Sequence, residues 1–227
     1  INNHAKRGGA IYWTAWSHNG QVSNCTFINN SASEEGGAIN WFNSNDCCVI
    51  DCTFINNHAN ESGGAIDWCA DYGRVNDCIF INNTARRGHA IDATSGLNVD
   101  YNWFGNNASN YNESLPITGV NCNYRLFLNA TANPDTITGS DTSNITFKLY
   151  QYHSGNISDY DNAPFKNLNL TITATNGNAA STAKLGEPIQ FTPAGNGIAT
   201  VTAAVENVVQ MVEIKVNEKG EFDLLQN

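Results

Sequence analysis

In the first half of the chain, apolar side chains arrive in short alternating runs such as Val22–Ile28 and Ala38–Phe42, bounded by Asn-Asn, Gly-Gly or Ser/Asn pairs. A period of two, cut every few residues by turn formers, predicts short β-strands and no long helix. The runs are also phased with one another. The word Ile-Asn-Asn-x-Ala begins at Ile1, Ile28, Ile55 and Ile81, at spacings of 27, 27 and 26 residues. Gly-Gly-Ala-Ile follows it at 8–11, 36–39 and 63–66, and in altered form as Gly88-His89-Ala90-Ile91. A third word, Cys-x-Phe, occupies 25–27, 52–54 and 78–80.

A repeat of this length holding two or three short strands fits the perimeter of one coil of a right-handed parallel β-helix, at about 3.3 Å per residue. Coils stack about 4.8 Å apart, so residues one repeat apart fall into columns. The predicted inward columns are Phe27, Phe54 and Phe80, with Cys25, Cys52 and Cys78 on the same parity. Ile11, Ile39, Ile66 and Ile91 form another, beside Trp13, Trp41 and Trp68. Asn pairs and Gly pairs suit corners that need positive φ. A leucine-rich repeat would need a Leu pattern, and residues 1–107 hold a single leucine, Leu97.

Past residue 123 the repeat words stop. Alternating runs over 124–132, 144–152, 167–175, 187–192, 197–205 and 207–216, separated by Asn-Pro, Ser-Gly-Asn, Asn-Gly-Asn and Gly-Asn-Gly turns, predict a small β-sandwich. The expected organisation is all-β: parallel β-helix repeats of about four coils over 1–107, a connection over 108–123, an Ig-like β-sandwich over 124–217 and a tail over 218–227. Residue 1 falls inside a repeat word, so further coils are expected to precede it, which the full gene would check.

Composition narrows the function. Asn supplies 36 of 227 residues and charged residues only 14%, which excludes a coiled coil or helical bundle because Asn is a poor helix former. The net charge of −10 repels a phosphate backbone, so nucleic acid is not an expected partner. No run approaches the roughly 18 apolar residues of a membrane-spanning helix.

Carboxylates are the candidates for chemistry. Asp67 and Asp92 follow the Ala-Ile word, and Asp51 and Asp77 precede the column cysteines, so each pair is expected one coil apart. Two carboxylates about 5 Å apart either raise a pKa or share a cation such as Ca²⁺, and retaining glycosidases use a similar spacing. Against an enzyme, the coils carry no long insertion to wall a substrate groove. Aromatic and amide side chains suit sugars by stacking and bidentate hydrogen bonding, which makes Tyr12, Trp16, Asn43 and Tyr72 candidate ligand contacts. The seven cysteines are expected mainly as reduced apolar fillers, since column partners have parallel Cβ vectors that bridge poorly. Ten Asn-x-Ser/Thr sequons offer glycosylation sites.

The paired Gly-Gly-Ala-Ile and Phe-x-x-Asn words resemble the repeats of polymorphic outer-membrane proteins and, more closely, those of adhesin-like surface proteins of methanogenic archaea. Asp100–Asn107 resembles the Asn-x-Trp-Gly-x-Asn word closing such β-helices, and Tyr124–Ala132 the opening strand of their bacterial-Ig-like modules. The resemblance implies an extracellular, cell-surface adhesin without catalysis, whose partner is a protein or glycan on another cell and whose Ig-like module is a spacer. A polysaccharide lyase or glycoside hydrolase working through the stacked carboxylates is the alternative, and a passive stalk a further one.

Overall fold

The computed structural model describes residues 1–14, 18–43, 46–94, 96–110, 113–161, 165 and 168–218. Their regular elements are all β-strands. The chain divides into two compact units, one of residues 1–127 and 150–164, the other of 128–149 and 165–227. Two of the three boundaries fall inside strands Arg125–Asn133 and Ser143–His153.

The first unit is a parallel β-solenoid of about four turns. Its first wall stacks Ile11–Trp13, Ile39–Phe42, Ile66–Cys69, Ile91–Ala93 and Ile117–Thr118, all parallel. Its second wall stacks Gln21–Ser23, Cys47–Ile50, Gly73–Asn76 and Leu97–Asn98. The third begins with Thr26–Ile28, Thr53–Ile55 and Ile79–Ile81 and continues with Asn102–Asn107. Two-residue strands at His4–Ala5, Ser31–Ala32 and His58–Ala59 line a fourth side. The registers pair Phe27 with Phe54 and Phe54 with Phe80, Trp13 with Trp41 and Trp41 with Trp68, in agreement with the repeat words.

Four left-handed positions recur from coil to coil, and these too form columns. They are Asn2, Asn29, Asn56 and Asn82; Gly8, Gly36, Gly63 and Gly88; Asn19, Asp46, Tyr72 and Gly96; and Asn24, Asp51, Asp77 and Tyr101, all with φ between 51° and 69°. Asn, Asp and Gly tolerate this region best because their small or self-bonding side chains avoid the Cβ–carbonyl clash. The second glycine of the Gly-Gly word has a different reason. A Cβ on Gly37 would lie 2.1 Å from the Gly64 carbonyl oxygen of the next coil.

Inside, Phe27, Phe54, Phe80 and Phe104 stack with centroids 4.9, 4.9 and 5.2 Å apart, and Trp13, Trp41 and Trp68 at 4.8 and 5.0 Å. Fully burying one such ring contributes about 1.5–3 kcal/mol. The second Asn of each Asn pair builds a polar ladder among them. Asn57 Oδ1 accepts both the backbone N–H and the side-chain amide of Asn30, at 3.0 and 2.9 Å, and Asn83 Oδ1 does the same for Asn57. Asn3 sits on Asn30 in the same way.

The second unit carries a five-stranded sheet in the order Thr136–Thr138, Val208–Asn217, Gly197–Val205, Asn169–Thr175, Thr182–Lys184. Ile189–Pro193 pairs antiparallel with residues 143–145 on one side and with Gly177–Asn178 on the other. Burial alternates along the strands: Val201, Ala203 and Val205 are buried, as are Leu170 and Ile172, Ile145 and Phe147, and Ile189 and Phe191.

The close approach at the Gly column gives a direct check. Gly37→Ala is expected to lower the free energy of unfolding by more than about 2 kcal/mol, since backbone must move to admit the methyl. Gly139→Ala, whose Cβ would meet only the Asn196 side chain at 3.7 Å, should stay within about 0.5 kcal/mol of the parent in urea unfolding.

Candidate functional site

The first wall has two buried faces. Ile39 and Trp41 pack into the core, while Asn40 and Asp67, at 0% and 2% exposure, are buried on the opposite parity. A second column, Glu35, Ser62 and Arg87, joined by bridges between successive coils, supplies polar partners for them. The side chains of the two columns are bonded together. Asn40 Nδ2 donates to Asp67 Oδ2 at 3.0 Å and to Glu35 Oε2 at 3.4 Å. Ser62 Oγ donates to Asp67 Oδ1 at 2.7 Å, and Cys69 Sγ to Asp67 Oδ2 at 3.2 Å. Arg87 closes one end on Asp92 at 2.8 Å, and Arg7 the other, 3.3 Å from Glu35.

Asp67 and Asp92 are therefore register neighbours, as the spacing predicts, but they are enclosed in a polar seam and their oxygens are engaged by protein donors. Burial pushes the Asp67 carboxyl above the usual carboxylate range, outweighing the Ser62 and Cys69 hydrogen bonds that favour its ionised form. Burial, followed by the Asp67 charge, pushes the Cys69 thiol up to about 12, so at neutral pH it is a donor and not a nucleophile. The Asn40 Oδ1 atom and the Trp41 and Trp68 indole nitrogens are buried without hydrogen-bond partners.

The other predicted pair, Asp51 and Asp77, occupies a left-handed corner column. Asp51 is pushed up by burial and then by the charge of Asp77. The Tyr160 hydroxyl donates to Asp77 Oδ1. Tyr160 also stacks on Tyr101 at 5.7 Å, Tyr101 on Tyr124 at 4.8 Å, and Tyr124 on His153 at 4.1 Å. This aromatic file is joined by Asp100, whose Oδ1 accepts the backbone N–H groups of Asn123 and Tyr124 at 2.6 and 3.0 Å. Nothing in the sequence marks it, because Tyr160 reaches Asp77 across 83 positions.

The loop candidates lie elsewhere. Tyr12 is 47% exposed on the first wall, and Tyr72 is 68% exposed at the left-handed corner before the second. Asn43 is exposed with φ of 54°, immediately after Phe42 at the end of the first wall. Trp16 lies outside the described residues. Among the described residues no three His, Cys, Asp or Glu side chains are grouped to hold a metal ion.

All seven cysteines are thiols and none is joined in a disulfide. Cys52 Sγ accepts the Cys25 N–H and Cys78 Sγ the Cys52 N–H, each at 3.4 Å, and the same column passes to Asn102, whose Oδ1 accepts the Cys78 N–H at 2.9 Å. Thiol and amide thus do one job, accepting an N–H from the coil above. The Cys-x-Phe word accordingly continues as Asn102-x-Phe104, an extension hidden from a search by residue identity.

Residues 24–40 and 51–67 match the repeat of the Chlamydia polymorphic membrane proteins. Each stretch runs from a left-handed corner residue, Asn24 or Asp51, through the column Cys and Phe, the Asn pair and the Gly pair to the seam residue Asn40 or Asp67. No curated protein and no solved structure matches the chain.

The raised Asp67 carboxyl has a definite sign in pH. A folded-state value above the unfolded one means that the native state binds the proton more tightly, so this group's contribution to stability falls as pH rises through the unfolded and then the folded value. Asp67→Asn should be more stable than the parent at pH 7, with the advantage shrinking on acidification. Urea midpoints of both proteins from pH 4 to pH 8 check this, and an advantage that grows toward acid would contradict it.

Proposed function

We propose that the chain is a non-catalytic adhesive segment of a cell-surface protein, in which the solenoid presents the recognition face and residues 128–217, apart from 150–164, form an Ig-like β-sandwich serving as spacer. The partner would be a protein or glycan on another cell, met outside the cell. The observation that carries this reading is the double match to the polymorphic membrane protein repeat, which falls on coils stacked in register. Repeats of that class suggest a surface or outer-membrane-associated protein. The engagement of Asp67 and Asp92 by their own neighbours favours a structural use of those carboxylates over acid–base chemistry. Exposed Tyr12, Tyr72 and Asn43 supply the aromatic and amide groups that sugars stack on and bond to. Alternating burial and antiparallel pairing in the second unit suit a sandwich without a cross-linking cysteine pair.

The test incubates the whole chain with a panel of polysaccharides and microbial cells and reads retention together with released reducing or unsaturated ends. Saturable retention without release is the expected result, weakened by Tyr12→Ala or Tyr72→Ala. Sugar release abolished by Asp51→Asn or Asp77→Asn would replace the adhesin with a carbohydrate-active enzyme, and silence in both channels would leave a stalk.

A further inference from the structure

The column that begins with Cys25, Cys52 and Cys78 and passes to Asn102 has one more member. Tyr124 stacks on Tyr101, and its carbonyl accepts the Tyr101 N–H at 2.8 Å. Asn98 bridges to Asn121 in the same turn, and the offset shared by these two pairs carries Asn102 to Arg125. Where the coils above place a small acceptor, the last turn places the largest donor in the set.

The surroundings of Arg125 are unlike those of the basic groups at the solenoid's polar seam. Lys6 and Arg7 lie against Glu34 and Glu35, and Arg87 against Asp92. Among the described residues no carboxylate lies within ion-pair distance of Arg125. One Nη donates to the Glu113 carbonyl at 3.3 Å, the guanidinium lies 5.4 Å from the Tyr152 ring centroid, and Nε is buried with no partner. A buried, desolvated N–H without an acceptor is costly in a folded protein. Beside it opens a recess of about 400 Å³ lined by Glu113, Ser114, Leu115, Ile117, Cys122 and Arg125. The recess is shallow and largely open to solvent, so a ligand there would keep part of its surface in water.

The geometry points to a binding site for a monocarboxylated sugar, a uronate, with its carboxylate on Arg125. Guanidinium presents a planar fork that a carboxylate fills in a bidentate way, and a ligand oxygen on Nε would satisfy the orphaned donor. Leu115 and Ile117 offer an apolar wall to the CH face of a sugar ring. Cys122, its thiol pushed up to about 12 chiefly by burial, stays neutral beside them. The Glu113 carboxylate and the Ser114 hydroxyl can take the ring hydroxyls, and the same Glu113 charge disfavours a dianion. The class of ligand rests on the adhesive reading above, since a glycan is one of its two partner classes, whereas the anion site rests on Arg125 alone.

Sodium galacturonate is the probe, with galactose and sodium acetate as controls, titrated into the whole chain and followed by calorimetry and by the Arg125 Nε–H resonance. Saturable galacturonate binding, with both controls weaker by about tenfold or more, and a shifted Nε–H signal are expected. Arg125→Lys, which keeps the charge and loses the fork, should weaken galacturonate binding by about tenfold. The Nε–H readout on the unaltered protein keeps the test valid even where substitution at this column unfolds the chain. Acetate binding as tightly as galacturonate, an unmoved Nε–H resonance on saturation, or unchanged affinity in a folded Arg125→Lys variant would each overturn the site. Galacturonate binding at Arg125 in a chain that retains no cells would uphold the site and remove the adhesive reading instead.

Discussion

The described columns of the solenoid are constrained residue by residue by their counterparts one coil away. Ring centroids 4.8–5.2 Å apart leave room for a side chain only if it can lie flat on the next, bond to it or vanish. Phe and Trp take the first course, Asn and Cys the second, and the Gly37 column the third. The Asn ladder shows why the second is stable in a dry interior. Each Oδ1 accepts two donors from the neighbouring coil, and the amides of Asn57 and Asn83 also reach the Phe27 and Phe54 carbonyls. A polar group is buried without being abandoned.

The same rule decides what the carboxylates can do. A charge that repeats at this spacing is opposed by its counterpart, since like charges so close repel in low dielectric. The seam answers by varying its column: Asn40, then Asp67, then Asp92, with Ser62 and Arg87 beside the last two. At the corner between the second and third walls Asp51 and Asp77 are half-buried on left-handed backbone, and Tyr160 bonds the second of them. In both places the acids are structural neighbours first.

Much of this was legible in the sequence, because a stacked fold writes its contacts at a constant interval. The Phe, Ile and Trp columns and the Asn and Gly corners follow from the 27-residue beat, and strands 125–133, 143–153 and 197–205 lie within a residue of the alternating runs. What stayed hidden shares a cause. Asn102 and Arg125 continue the cysteine column by equivalence of place and not of residue type. Asp67 and Asp92 look solvent-facing by parity, yet Glu35, Ser62 and Arg87 close over them from the stretch after the Asn pair. Two corners fall on Tyr72 and Tyr101, aromatic residues that carry no turn signal. The Tyr101, Tyr124, Tyr160 and His153 file is assembled from segments with no common period.

The direction of the ladder has a mechanical meaning. From Asn3 through Asn30 and Asn57 to Asn83 the amide bonds run from coil to coil, parallel to the backbone bonds between the same turns. Tension along the stack loads the coil-to-coil interfaces in series, so the weakest interface yields first and the rest follow one at a time. Tension along a strand loads the rungs of an interface side by side, and they must fail together. The solenoid is thus a soft spring in one direction and a stiff plate in the other, whatever it holds.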